Sequence, residues 1–272
     1  MYGILHEKYE YAKKVRAGII NDPAFMPVIY EADPEVDWTE SDNPWLAMGR
    51  YDACVGDLPD LKGRTCYAGL DLSRTTDLSA LVLVFLPLDD EEPYYVLPYC
   101  WVPGDSIRDR SRRDKVPYGL CRDQGYIEPT PGAVVNYDYI FRQVDQAAKD
   151  YDLKGVCFDD WGSAQIIDRI ENNGIEVIRF GQGYKPMSPP TKELMKIILE
   201  QKIVFPENPV LRWCASNVVI QSDPAGNIKM NKDKSIEKID LMIALVMGLD
   251  GCIRNEVTSS VYNEPGREMI FI

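Results

Sequence analysis

The chain has 272 residues, enough for one large domain or two modest ones, and 43 acidic against 30 basic side chains give it a net charge of −13. Its single histidine, His6, argues against His-rich metal sites and against catalysis by a Ser–His or Cys–His pair. Seven scattered cysteines without a CxxC pair indicate a reduced protein, and no apolar run reaches the roughly 20 residues of a membrane helix.

The N-terminal segment is too small to be a stable domain by itself. Apolar spacing predicts a helix over residues 1–20, and Val28-Ile-Tyr suits a short strand. The acidic, proline-containing stretch 32–44 is typical of a loop or linker. We therefore divide the chain into a tail and linker, residues 1–52, and one domain, residues 53–272.

Three strands are predicted next, over residues 65–71, 78–87 and 93–102. The first two are apolar on both faces, which is typical of strands buried inside a sheet. The short connections favour a meander. Residues 104–132 are polar and rich in Arg, Asp, Gly and Pro, and we interpret them as an excursion from the core.

Helices and strands then alternate. The patterns predict helices over 137–151, 163–173 and 191–201, with strands at 155–159 and 175–180. A helix that ends near 212–217, a hairpin of 218–221 with 228–230, and a buried helix over 235–249 follow. A meander followed by such alternation predicts a mixed α/β sheet flanked by helices.

Three acids have favoured positions. Asp71 and Asp159 end predicted strands, and Asp240 lies in the first turns of the last apolar helix. Three clustered carboxylates would repel one another unless cations neutralised them, and such oxygen ligands select Mg²⁺ or Mn²⁺. Two such ions can support phosphodiester hydrolysis, which suits a chain with no histidine to spare.

Ordinary structural roles remain open for each acid. An Asp at a strand end is usually a turn residue or a helix cap, and Asp240 could simply pair with a neighbouring base such as Lys238. Asp77 favours an Asx-type turn over a ligand role. Asp160 could serve instead of Asp159, although Asp159 directly follows the apolar strand.

The net charge opposes DNA binding unless local basic patches or metal ions offset it. Two stretches carry basic candidates for DNA contact, each interleaved with acids: Arg108, Arg110, Arg112, Arg113 and Lys115, and then Lys229, Lys232, Lys234 and Lys238. The second series leads into the helix of Asp240, so we expect Lys232, Lys234 and Lys238 to follow a DNA backbone near the site. A merely solvated surface is the alternative.

Several motifs occur together and in a fixed order. They are Tyr67-Ala-Gly-Leu-Asp-Leu-Ser-x-Thr-Thr-Asp-Leu-Ser-Ala-Leu, Thr130-Pro-Gly-Ala-Val-Val-Asn-Tyr, Phe158-Asp-Asp-Trp, Gly181-Gln-Gly, Asn208-Pro-Val-Leu-Arg-Trp-Cys-Ala-Ser-Asn-Val and Lys238-Ile-Asp-Leu-Met-Ile-Ala-Leu. From about residue 45 onward the chain resembles the nuclease part of the large terminase subunit of tailed bacteriophages.

The resemblance implies an RNase H-like fold and a metal-dependent endonuclease that cuts concatemeric viral DNA during genome packaging. The family's metal-binding acids map onto Asp71, Asp159 and Asp240, with Asp77 as an accessory acid. The position after Asp159 is commonly proline in the family, whereas this chain has Asp160. Implied cofactors are two ions of Mg²⁺ or Mn²⁺. Implied partners are double-stranded DNA, the small terminase subunit and the portal protein, in the cytoplasm of a bacterial host and without a membrane.

The segment Ile20-Asn-Asp-Pro-Ala-Phe-Met-Pro-Val-Ile-Tyr-Glu-Ala resembles the end of the family's ATPase domain. The chain has no Gly-Lys dipeptide, so it cannot contain the P-loop of that motor, and we expect no ATPase activity. We expect a truncated form or a nuclease-containing fragment.

Two other interpretations remain. Gly69-Leu-Asp-Leu-Ser-Arg-Thr-Thr and Asp160-Trp-Gly-Ser resemble the phosphate loops of actin-like ATPases and sugar kinases, which share the same core fold. The chain is short for two such lobes. The other alternative is an inactive terminase remnant that binds DNA or the portal protein.

Overall fold

The computed structural model describes residues 45–73, 77–114, 116–159, 164–232, 234–235 and 238–256. The elements predicted before residue 45, and the candidate acid Asp160, lie outside these described residues. None of the helices in the described ranges combines the length and apolar character that a membrane span requires.

The predicted meander is confirmed. Strands β1 (Thr65–Asp71), β2 (Ser79–Phe85) and β3 (Tyr94–Pro103) pair antiparallel, with Leu70 opposite Leu81 and Leu83 opposite Leu97. All of β2 is buried, which explains its continuous apolar sequence.

The polar stretch after β3 is folded, so its interpretation as an excursion from the core was wrong. It forms a short 3₁₀ turn and then α2 (Ile107–Arg113), α3 (Tyr118–Asp123) and β4 (Glu128–Thr130), which pairs parallel with β3. Its few apolar side chains are too widely spaced to give a periodic pattern, yet Ile107, Tyr118 and Ile127 are buried in the core.

The second half of the sheet is parallel. Helix α4 (Tyr137–Asp150) leads to β5 (Asp152–Phe158) beside β1, and α5 (Ala164–Asn172) leads to β6 (Glu176–Arg179) beside β5. The order β4-β3-β2-β1-β5-β6, with the short β7 also paired to β3, makes a seven-stranded mixed sheet within the described ranges. The predicted mixed α/β sheet flanked by helices is confirmed.

The remaining elements complete the two layers around the sheet. They are α1 (Met48–Asp52), α6 (Tyr184–Leu199), β7 (Ile203–Val204), α7 (Pro209–Ser216), the hairpin β8 (Ile220–Ser222) with β9 (Ile228–Met230), and α8 (Asp240–Glu256). Helix α4 covers one face of the sheet, where Ile140 and Phe141 pack with Leu70. Helix α8 crosses the other face, against β1, β2 and β5.

Two helix starts differ from their predictions. Helix α6 begins seven residues early, at Tyr184, and contains Pro189 and Pro190. Prolines normally end a helix, but here burial of Met187, Pro190 and the following apolar residues compensates for the missing amide hydrogen bonds. Helix α8 begins at Asp240 instead of residue 235, so Asp240 is its first residue.

Candidate active site

Two of the candidate acids leave neighbouring strands at the same edge of the sheet. Asp71 is the last residue of β1, and Asp159 directly follows β5. These strands run parallel, with Leu70 opposite Phe158, so the two acids occupy adjacent positions just beyond this pair. Carboxyl ends of parallel strands are where α/β sheets bind ligands.

The third acid, Asp240, is brought to this edge by a close contact between α8 and β1. A Cβ atom placed on Gly69 would lie 1.8 Å from the backbone oxygen of Ala244 and 2.6 Å from the amide nitrogen of Gly248. Only glycine permits such an approach of helix backbone to strand backbone. Gly69 lies two residues before Asp71, so the contact fixes both acids relative to one another.

Lys232 joins two of these carboxylates. Its Nζ donates to Asp71 Oδ2 at 2.5 Å and to Asp240 Oδ1 at 2.8 Å. Because both oxygens contact one nitrogen, they lie within roughly 5 Å of each other. Asp71 and Asp240 are only 5% and 8% exposed, so this pair of like charges is held together away from water.

The electrostatics of the site follow from this burial. The pKa of Asp71 is raised to about 6: burial is the largest cause, the Lys232 ammonium opposes it, and the negative charges of Asp240 and Asp159 add to the rise. Asp159 follows β5, the strand beside β1, so its side chain starts from the position next to Asp71. For Lys232, burial alone would lower the pKa, but the charges of Asp71 and Asp240 outweigh it and the pKa rises.

The donor set suits a hard divalent cation, since it consists of carboxylate oxygens. Oδ2 of Asp240 is buried and accepts no hydrogen bond within the described ranges, so it retains the capacity to bind a cation. In those same ranges no group of three His, Cys, Asp or Glu side chains is arranged to hold one ion. In this structure the ammonium group of Lys232 contacts both Asp71 and Asp240.

Asp77 lies beside this cluster in a separate ion-pair network. Its carboxylate accepts from Arg110 Nη1 at 3.2 Å and from Lys238 Nζ at 2.7 Å. Lys238 therefore pairs with Asp77, whereas Asp240 pairs with Lys232. The Asp77 carboxylate therefore connects the segment before β2 to α2 and to the segment before α8.

Hydrogen bonds also hold the segment that follows Asp71. The Ser73 hydroxyl donates to the backbone oxygen of Asp77 at 2.8 Å, and the Ser73 amide donates to Ser79 Oγ at 3.1 Å. The Tyr137 hydroxyl, from the start of α4, donates to the backbone oxygen of Ser73 at 2.6 Å. The end of β1 is thus attached to both β2 and α4.

The basic residues predicted to contact DNA divide into those that contact acids of the protein or are buried, and those that are exposed to solvent. Lys232 and Lys238 contact acids of the site, while Lys234 is exposed, and Arg110 of the earlier series is buried with only 2% exposure. The sequence did not reveal that Lys232 and Arg110 turn inward, because both lie in runs of alternating charge. Of these two residues, only Lys232 had a feature in the sequence that indicated its place at the site, namely its closeness to Asp240.

The chain is similar to known proteins in sequence and in structure. The family model described as "Terminase large subunit, endonuclease domain" matches residues 6–256. The curated large terminase subunit of Enterobacteria phage HK97 is 34% identical over 218 residues, which cover 79% of this chain and 42% of the relative. Protein YmfN of Escherichia coli strain K12 is 26% identical over 223 residues, covering 78% and 49% respectively.

The crystal structure of the HK97 bacteriophage large terminase is similar as well, with a TM-score of 0.70 and 33% identity over 77% of this chain and 43% of that one. The chain spans less than half the length of these relatives. The match to the family model extends over most of the sequence and includes Asp71, Asp159 and Asp240. The chain therefore belongs to the family of terminase large-subunit endonuclease domains.

Proposed function

We propose that this chain is a divalent-metal-dependent endonuclease that hydrolyses phosphodiester bonds of double-stranded DNA, with Asp71, Asp159 and Asp240 as the metal ligands. The observation that supports it most is the pair of buried carboxylates, Asp71 and Asp240, that converge on one cationic nitrogen. Buried acids this close together are destabilising without a cation between them, so the arrangement favours a cation-binding role.

Each acid has a definable part in this proposal. Asp71 and Asp240 would hold one ion through the oxygens that now face Lys232, and Asp159 would add a third carboxylate from the neighbouring strand. Two ions of Mg²⁺ or Mn²⁺ would supply activation of a water molecule and stabilisation of the leaving oxygen. With a pKa of about 6, Asp71 is mostly ionised at neutral pH and is able to act as a ligand.

The biological setting is proposed by similarity. We infer that the substrate is concatemeric viral DNA in the cytoplasm of a bacterial host, cut during genome packaging. The small terminase subunit and the portal protein would be the partners. The assignment of a two-metal mechanism and of Asp77 and Asp160 as accessory acids remains part of this proposal, as does DNA contact by Lys232, Lys234 and Lys238.

The test is cleavage of supercoiled plasmid with Mg²⁺ or Mn²⁺ by the wild type and by Asp71→Asn and Asp240→Asn. We expect each variant to lose more than about 100-fold in rate, since loss of even an outer partner of a metal ligand costs 10–100-fold. Chelation by EDTA should abolish cleavage by the wild type.

The chain offers a matched control. Asp250 is also buried on α8 and pairs with Arg254 at 2.7 Å, but it lies roughly 15 Å further along the helix. Asp250→Asn should therefore keep wild-type cleavage once its folding is verified by circular dichroism. Cleavage that persists in EDTA, or that is unchanged in both site variants, would contradict the proposal.

A further inference from the structure

Hydrogen bonds hold the turn from which Lys232 reaches the carboxylates. The Asn231 amide donates to the backbone oxygen of Val219 at 2.9 Å, and the Ser235 hydroxyl donates to the backbone oxygen of Asn231 at 2.7 Å. The Asn231 side chain accepts from the Lys234 amide at 3.2 Å. These bonds, together with the β8–β9 hairpin, set the position from which the Lys232 side chain extends.

The two ends of the Lys232 side chain have different surroundings. Its ammonium group contacts two carboxylates that are nearly inaccessible, while 39% of the side chain as a whole is exposed. A lysine side chain has four rotatable bonds, so the ammonium can leave the carboxylates for water without movement of the backbone. The ion pair is thus able to open.

The charges explain why it would open. Lys232 brings one positive charge to two buried carboxylates, so the three groups together keep a net charge of −1. A divalent cation at the same two oxygens supplies twice the charge. Both cannot bind these oxygens together, because they would repel each other at contact distance.

We propose that Lys232 is a built-in competitor of the metal: its ammonium group occupies the facing oxygens of Asp71 and Asp240 until a divalent cation displaces it. This proposal rests on the metal site proposed above and extends it, because it makes a residue of the chain set the concentration at which metal binds. A site occupied by Lys232 for nine-tenths of the time would bind metal about ten times more weakly than an open one.

Isothermal titration calorimetry with Mn²⁺ tests this. Lys232→Met keeps the unbranched stem of the side chain and removes its charged end, and we expect it to bind Mn²⁺ at least about tenfold more tightly than the wild type. The control Lys234→Met changes an exposed lysine of the same turn and should bind Mn²⁺ like the wild type. Equal or weaker binding by Lys232→Met than by the wild type would overturn the proposal.

Thermal unfolding gives a readout that does not depend on DNA cleavage. In EDTA, Lys232→Met should melt roughly 2–4 °C below the wild type, because Asp71 and Asp240 then repel each other without compensation. In saturating Mn²⁺ this gap should close or reverse. A gap of the same size in both conditions would show that Lys232 has a purely structural role.

A measurement on the wild type covers the case in which Lys232→Met fails to fold. In protein labelled with ¹⁵N-lysine, the Nζ resonance of Lys232, assigned from Lys232→Arg, should move to the position of a solvated lysine as Mg²⁺ is added. An unchanged resonance at Mg²⁺ concentrations where binding is detected would refute displacement. If neither Mg²⁺ nor Mn²⁺ binds the wild type, the metal-dependent function fails as well, whereas metal-dependent cleavage without displacement refutes only the role of Lys232.

Discussion

At the scale of single residues, ion pairs hold the carboxylate of Asp77, an acid next to the site. It lies between a buried arginine of α2, Arg110, and the lysine that precedes α8, Lys238. Arg110 also donates through Nε to Ser106 Oγ at 3.1 Å, so its guanidinium is held by two partners. Burial alone would raise the pKa of Asp77, but the hydrogen bonds and charges of Lys238 and Arg110 lower it overall.

This lowered pKa predicts a pH dependence. An acid whose pKa is lower in the folded protein stabilises the fold above its unfolded pKa, about 3.9, and loses that contribution as the pH falls through the folded value. Asp77→Asn should therefore have a smaller free energy of unfolding than the wild type at pH 7, and the difference should shrink as the pH falls and vanish once the pH lies below the folded-state pKa. Urea denaturation at several pH values measures it, with the exposed Asp90→Asn as control. A difference that stays constant with pH would show that the ion pairs contribute nothing.

The sequence predicted the acids of the site better than their bases. Asp71, Asp159 and Asp240 are visible because each interrupts or borders an apolar run, and the fold then places them at one edge. Lys232 and Arg110 lie among other charges, and the direction of a side chain within such a run depends on tertiary contacts. Their ion pairs could not be predicted from local pattern.

At the scale of elements, the pairing of α8 with β1 determines the geometry of the site. Helix and strand approach until their backbones touch at Gly69, Ala244 and Gly248. Asp71 ends β1 and Asp240 begins α8, so their separation depends on this contact and not only on side-chain rotamers.

Gly69→Ala tests this dependence. Its methyl group would lie 1.8 Å from the Ala244 oxygen, so α8 must move away from β1, and we expect a loss of about 1–3 kcal/mol or more in the free energy of unfolding. DNA cleavage should fall as well, because the movement separates Asp71 from Asp240. Urea denaturation and the plasmid assay measure the two effects.

Gly49→Ala is the matched control, because Gly49 lies in α1 and a Cβ there would have no atom within 4 Å. It should stabilise the protein by about 0.5–1 kcal/mol through helix propensity. A Gly69→Ala protein as stable and as active as the wild type would contradict the role given to the α8–β1 contact.

Strand prediction succeeded here because both faces of β1 and β2 are buried, which leaves a continuous apolar run. The predicted start of α6 was wrong for the opposite reason. Pro189 and Pro190 are strong local signals against a helix, and only tertiary burial of the surrounding residues overrides them. Local sequence cannot report a stabilisation that comes from distant parts of the chain.

At the scale of the whole molecule, α1 belongs to the same core as the sheet. The Tyr51 ring stacks on Phe205 with centroids 4.5 Å apart, and Arg212 of α7 forms two hydrogen bonds with Asp52, at 2.8 and 3.0 Å. Leu46 and Tyr51 are buried with the residues of α8 in one cluster. The domain boundary near residue 52 stays a prediction, but the contacts of α1 connect residues before it to the nuclease fold.

Tyr51→Ala should therefore destabilise the entire domain, by about 3–5 kcal/mol as for other large buried aromatic residues. Tyr51→Phe provides the contrast, because the Tyr51 hydroxyl is buried without a hydrogen-bond partner within the described ranges, so its removal should leave stability unchanged or improved. Thermal unfolding followed by circular dichroism measures both. A small effect of Tyr51→Ala would place α1 outside the cooperative unit.

The close contact between α8 and β1 also determines when the site can exist. Asp71 and Asp159 come from strands in the first part of the described chain, whereas Asp240 begins the last element that the structure describes. A nascent chain on the ribosome can pair β1 with β5 before α8 has been synthesised, but it then contains only two of the three proposed metal ligands. The proposed cutting site therefore forms only when the sheet has already folded and α8 packs against Gly69, so synthesis itself delays the acquisition of nuclease chemistry.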